Sequence, residues 1–94
     1  MEVALPILTP SARVVSRVID GQALLLDAGQ DHLERLNAVG SFVWGLIREK
    51  RHDFEALLAA VIDEFEVDEA AARADLLAFL GALESRGLVR YAEV

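Results

Sequence analysis

The most constraining feature of this sequence is a change in hydrophobic period at Asn37. Before Asn37, short runs rich in β-branched residues are separated by turn residues, which is the pattern of antiparallel strands. After it, apolar residues recur every three or four positions, which is the pattern of amphipathic helices. Because the chain has only 94 residues, this order predicts a single α+β domain, a three-stranded antiparallel sheet followed by three helices.

The strand half contains three runs that can form a meander. The first run ends at Asp20-Gly21, a dipeptide that suits the positive φ angles of a two-residue hairpin turn. Each later run begins within hairpin reach of the one before it, so we expect antiparallel neighbours. The three runs cover residues 12–19, 22–27 and 32–36.

The helical half is divided by three residues that are good N-caps. Asn37, Asp53 and Asp68 each precede an apolar stripe of helical period, so each predicts the start of a helix. The first stripe is Val39, Phe42, Val43, Leu46 and Ile47, with Trp44 off its centre as a boundary residue that packs on the domain. Gly87 suits the left-handed residue that ends the third helix.

The two ends of the chain are predicted to lie outside the core. Both prolines, Pro6 and Pro10, fall in residues 1–11, which predicts an extended or flexible N-terminal segment ahead of a domain over residues 12–94. The last residues, 91–94, are expected to fray.

Composition excludes several classes of partner and compartment. Nine Lys and Arg against 16 Asp and Glu give a net charge of −7, which repels nucleic-acid phosphates. The absence of cysteine rules out disulfides and fits a reducing cytoplasm. No apolar run is long enough to cross a membrane. We therefore expect a cytoplasmic protein that binds neither nucleic acid nor membrane.

The residues that carry chemistry in enzymes form no recognisable pattern here. His32 and His52 lack further donors for a metal site, and Asp27, Asp31 and Glu34 lack calcium-loop spacing. The chain has neither a nucleophile motif nor a glycine-rich phosphate loop. The sequence thus predicts no catalytic residue, no metal, no cofactor and no enzymatic activity.

What remains is surface that another chain can occupy. A three-stranded meander has two open edges, and the short third strand can accept an extended peptide by strand addition. On the third helix, small residues surround one leucine and one cation beside the core stripe, which predicts a groove wall at Ala70, Arg73, Leu77 and Gly81. The alternative for Leu77 is that it packs under a neighbouring loop.

Several short motifs are similar to those of the PqqD-like family of peptide-recognition domains, the RiPP precursor recognition elements. RiPPs are ribosomally made peptides that are modified after translation. The resemblance covers residues 15–89. It rests on Leu36-Asn37, Gly40, Trp44, Phe65-Glu66-Val67, Asp75, Phe79-Leu80, Leu83 and Gly87-Leu88.

The resemblance implies a winged-helix-like, non-catalytic domain that holds the leader segment of a precursor peptide for a modifying enzyme, such as a radical S-adenosylmethionine protein, a protease or a cyclase. The leader would lie as an extra strand beside the third strand and against the third helix. One wall would then be Leu33, Glu34, Arg35 and Leu36, and the other the flank of Ala70, Arg73, Leu77 and Gly81.

The sequence departs from the family pattern in two places and leaves two other functions open. Relatives often carry an aromatic pair where Leu33 and Glu34 stand, and a Thr cap where Asp53 stands. One alternative is a winged-helix DNA-binding protein, although its third helix would hold Arg73 as its only cation. The other is a self-association module, a homodimer formed through an edge strand.

Overall fold

The computed structural model describes residues 6–27, 29 and 32–92, which form two sheets and three helices. β2, β3 and β4 form an antiparallel three-stranded sheet, and β1 and β5 form a two-stranded one. The elements are β1 Ile7–Pro10, β2 Val14–Ile19, β3 Gln22–Asp27, β4 His32–Arg35, α1 Ala38–Ile47, α2 Phe54–Phe65, α3 Glu69–Ser85 and β5 Val89–Ala92. The predicted α+β class, with three antiparallel strands followed by three helices, is confirmed.

The β2–β3 hairpin forms at the predicted turn. Asp20 and Gly21 have φ angles of 53° and 79°, and Ile19 pairs with Gln22 on either side of them. Positive φ at both central residues is the geometry of a type I′ turn, whose twist matches that of the flanking strands. The turn therefore sets the register of the hairpin.

All three predicted N-cap residues stand at the start of a helix. The side chains of Asn37, Asp53 and Asp68 each accept a hydrogen bond from the backbone N–H three residues later, at 2.8, 2.8 and 3.1 Å. At the other end of α3, Gly87 has a φ of 73° and Leu88 N–H donates to the Leu83 carbonyl at 2.9 Å. These caps satisfy backbone groups that would otherwise lack partners.

The core lies between one face of the three-stranded sheet and the helices. Ala23 and Leu25 of β3 are fully buried against it, as are Val43 and Ile47 of α1. Trp44 is only 2% exposed, so it belongs to the core itself. The buried face of α1 is thus rotated from the predicted stripe.

Two short strands near the ends of the chain pair with each other, which the sequence did not indicate. Ile7–Pro10 runs antiparallel to Val89–Ala92, Leu8 is completely buried, and its N–H donates to the His52 carbonyl at 2.9 Å. The sequence predicts residues 1–11 as an extended or flexible segment ahead of the domain, but residues 7–10 of it pack on the domain as a strand. Of the residues expected to fray, those up to Ala92 are paired, and residues 93–94 lie outside the described ones.

Candidate functional site

β4 is an edge strand whose outer backbone groups point away from the sheet. Leu36 N–H donates to the Ala23 carbonyl at 2.9 Å, which establishes the phase of the ladder between β3 and β4. Because bonded and non-bonded residues alternate along an antiparallel pair, Glu34 faces β3 while Leu33 and Arg35 direct their N–H and C=O groups outward. Over the described residues, no strand pairs with this edge.

A groove runs between this edge and the C-terminal half of α3. Its volume is about 230 Å³. Leu83 is buried at the base of the groove, Phe79 is half-buried and Ala82 is exposed. The groove is lined by Glu34, Arg35, Leu36, Asn37, Phe79, Ala82, Leu83 and Arg86. An extended chain laid along β4 would thus direct every second side chain toward α3.

An ion pair between Glu34 and Arg86 spans the groove. Glu34 lies opposite Leu25 in the register, so its side chain is on the face of the sheet that carries the helices. The Glu34 side chain is 22% exposed and that of Arg86 is 48% exposed. A pair this accessible to water contributes only about 0–1 kcal/mol to stability. Its main effect is to place opposite charges on the two walls.

The groove continues past Phe79 into an apolar pocket of about 290 Å³ between α1, α2 and α3. Asn37 and Phe79 line both spaces. Gly40 is what admits the Phe79 ring here, because a Cβ at position 40 would lie 3.0 Å from a carbon of that ring. Phe79 is therefore a shared wall, held between α1 and the groove.

The α3 residues predicted from the sequence do not line this groove. Leu77 and Arg86 are nine residues apart, or about two and a half turns, which places them on opposite sides of the helix. Ala70 and Gly81 share the Leu77 side. The α3 residues that line this groove are instead Phe79, Ala82, Leu83 and Arg86, and peptide binding at Ala70, Arg73, Leu77 and Gly81 stays a prediction. Leu77 is 56% exposed, so it is not covered by a loop either.

Arg73 is engaged on the far side of α3. Its guanidinium donates to the two carboxylate oxygens of Glu55 on α2 at 2.8 and 3.1 Å, and it lies 5.7 Å from the centre of the Phe54 ring. Hydrogen bonding from Arg73 lowers the pKa of Glu55, and the same contact raises the pKa of Arg73. The cation is thus committed to holding α2 against α3.

The sequence alone did not identify the groove residues on α3, although their helical spacing was visible in it. Phe79, Ala82 and Arg86 fall at spacings of three and four, so they occupy one face of α3. The opposite face has a similar mixture of small residues, leucine and arginine. Choosing between the two faces requires knowing on which side of the helix the sheet packs.

The described residues form neither a metal-binding cluster nor a membrane-spanning helix. No group of three or more histidine, cysteine, aspartate or glutamate side chains is arranged to hold a metal ion there. None of the helices in the described ranges is long and apolar enough to span a bilayer.

The chain is similar to known proteins in sequence and in fold. The profile of the family described as coenzyme PQQ synthesis protein D (PqqD) matches residues 22–89. A solved structure described as TbiB1 in complex with the TbiA(beta) leader peptide is 34% identical, with a TM-score of 0.81 over 87% of this chain and 94% of that one. A lasso peptide synthetase B1 complexed with its leader peptide shares the fold at 18% identity, with a TM-score of 0.78 over 88% of this chain and 96% of that one. A comparison with curated proteins found no match. On the strength of the profile match and the first of these structures, this chain belongs to the PqqD family.

Proposed function

We propose that this protein is a non-catalytic recognition element that binds the leader segment of a ribosomally made precursor peptide and presents it to a modifying enzyme. The observation that carries the proposal is the open edge of β4 beside the groove against α3. Its family membership supports the same function, because the solved relatives are complexes with leader peptides.

The leader would bind as a further strand of the sheet. Its backbone would exchange hydrogen bonds with Leu33 and Arg35, whose outward N–H and C=O groups provide the template. Alternate leader side chains would enter the groove toward Phe79 and Ala82, and the others would lie on the outer face beside Leu33. This arrangement calls for a leader with apolar residues at every second position.

The binding energy would come mainly from backbone hydrogen bonds and apolar burial. Leader segments are disordered when free, so ordering one on β4 costs part of the gross interaction energy. The charges on the walls, half-buried Glu34 and exposed Arg86, would contribute little to affinity and more to the choice of leader. Moderate, reversible affinity is the expected result.

A partner has to supply the chemistry that follows recognition. We propose that the partner is a maturation enzyme, a radical S-adenosylmethionine protein, a protease or a cyclase, acting on the leader-bound precursor in the cytoplasm. A homodimer formed through an edge strand is compatible with this role only if it uses a strand other than β4, because pairing at β4 would displace the leader.

The test is fluorescence anisotropy with a labelled leader from the precursor encoded beside this protein. Ala82 is exposed in the groove, so Ala82→Arg should fill it and weaken binding about tenfold or more without unfolding the domain. Ala70→Arg makes the same change on the opposite face of α3 and should leave affinity unaltered. Unchanged affinity in a folded Ala82→Arg variant would refute the proposed site.

A further inference from the structure

The other edge of the sheet carries a second cleft of different chemistry. It has a volume of about 420 Å³ and lies between β2, the β1–β2 connection and the C-terminal end of α1. Its lining is Pro10, Ser11, Ala12, Val14, Ser16, Trp44, Arg48 and Lys50. Most of its surface is polar, whereas the pocket between α1, α2 and α3 is apolar.

Two cations at this cleft lack counter-charges among the described residues. Neither the Arg48 nor the Lys50 side chain forms an ion pair or hydrogen bond with a residue in the described part of the chain. By contrast, Arg51, Arg73 and Arg86 are each paired with a glutamate. In a protein of net charge −7, two unpaired cations at one cleft create a local positive potential.

Hydrogen-bond donors line the same cleft. Trp44 is 2% exposed, and its Nε1–H has no acceptor among the described residues. A buried donor without an acceptor marks a place where a further group belongs. Because Ile19 and Gln22 are the bonded pair beside the turn, alternation along β2 directs the Ser16 N–H outward at the open edge. The hydroxyls of Ser11 and Ser16 add further donors.

We infer that this cleft binds an oxyanion, a carboxylate or a phosphate group. Both groups offer negative charge together with several acceptor oxygens, which matches two cations and a set of N–H and O–H donors. Trp44 lines the cleft together with Arg48 and Lys50, so an oxyanion bound between the two cations would lie beside the indole. The inference does not depend on peptide binding at β4.

The experiment uses the only tryptophan of the chain as its probe. The indole Nε1–H signal of ¹⁵N-labelled protein and the Trp44 fluorescence are followed during titration with sodium phosphate and, separately, sodium acetate, with sodium chloride holding ionic strength constant. A saturable change is expected in at least one titration, and the stronger one identifies the oxyanion preferred. If both titrations give only the response seen with chloride, the cleft holds water and the inference is wrong.

Matched variants separate a specific site from general charge. Arg48→Gln and Lys50→Gln should each weaken the saturable response about tenfold, because each removes one charge-assisted contact. Arg51→Gln is the control, since this neighbouring cation pairs with Glu49 and does not line the cleft. Circular dichroism verifies folding of each variant. An equal loss in Arg51→Gln would show a net-charge effect only and overturn the inference.

Discussion

The two edges of the three-stranded sheet show how neighbouring helices place similar strands beside spaces of different chemistry. Both β2 and β4 leave backbone groups unpaired in the described residues, so either edge offers a template for another strand. At β4 the adjacent groove has Phe79 and Leu83 from α3 on its wall. At β2 the adjacent cleft has Arg48 and Lys50 from the end of α1. The helix beside each edge therefore decides whether the space suits apolar side chains or a charged group.

The start of β2 is also partly occupied by the chain itself. The Val14 N–H donates to the Ser11 carbonyl at 3.2 Å, within the turn that leads from β1 into β2. Burying apolar side chains in a groove is worth about 25 cal/mol per Å² of surface removed from water, and the groove beside β4 offers more such surface. These differences favour β4 as the peptide edge.

The largest expected effect comes from truncating a buried side chain in β1, the strand that leads into β2. The Leu8 side chain of β1 is fully buried against the rest of the domain, so Leu8→Ala should lower the free energy of unfolding by about 2–5 kcal/mol. Denaturant unfolding measures this change. Val15→Ala, at a position that is 55% exposed, is the control and should change it little. A small effect of Leu8→Ala would mean that the β1–β5 sheet is dispensable.

The next effect compares the two edges directly. Leu33→Pro removes an outward N–H from β4 without removing a ladder bond to β3, and should weaken leader binding about tenfold or more. Val18→Pro makes the same change on β2 and should leave leader affinity unaltered. Fluorescence anisotropy of the labelled leader distinguishes the two variants. A greater loss in Val18→Pro would place the peptide on β2 instead.

A smaller effect is expected from the ion pair across the β4 groove. Glu34→Arg and Arg86→Glu each place like charges on the two walls, and the double variant restores opposite charges. A double-mutant cycle on unfolding free energy should give a favourable coupling above zero and no larger than about 1 kcal/mol. Additive single effects would show that the two walls do not interact electrostatically.

The smallest effect concerns pH and the far side of α3. Hydrogen bonding from Arg73 lowers the pKa of Glu55 from its ordinary value of 4.5. Because the pKa of Glu55 is lowered in the folded state, its contact with Arg73 stabilises the fold fully above pH 4.5. This stabilisation is lost as pH falls through the folded-state pKa. Between pH 6 and about pH 3, the free energy of unfolding should fall slightly less in Glu55→Gln than in the parent protein. Denaturant unfolding at each pH measures this difference. An identical acid dependence would argue that the contact is not maintained in solution.

Much of the fold could be predicted because its signals are local. Asp20-Gly21 specifies a hairpin turn through the φ angles that these two residues tolerate. Asn37, Asp53 and Asp68 specify helix starts, since each side chain bonds a backbone N–H three residues away. Such interactions act over a few residues, so neighbouring letters of the sequence are enough to reveal them.

The pairing of β1 with β5 had no comparable signal. β1 is only four residues long and ends in Pro10, which locally indicates an extended segment and nothing about its partner. β5 follows α3 directly and is equally short. Their pairing depends on where the intervening helices bring the two strands. Leu8 is buried for that reason, and no feature of its neighbours indicates it.

The candidate site divides in the same way. The sequence by itself determined the short edge strand and the period of two along it. The hydrogen bond from the Leu36 N–H to the Ala23 carbonyl, which only the structure shows, established Leu33 and Arg35 as its outward positions. Only the tertiary structure decided that Phe79, Ala82 and Arg86 form the second wall and that Arg73 faces α2. A helix has the same local geometry whichever face it buries, so its orientation against the sheet is established by packing of the whole domain.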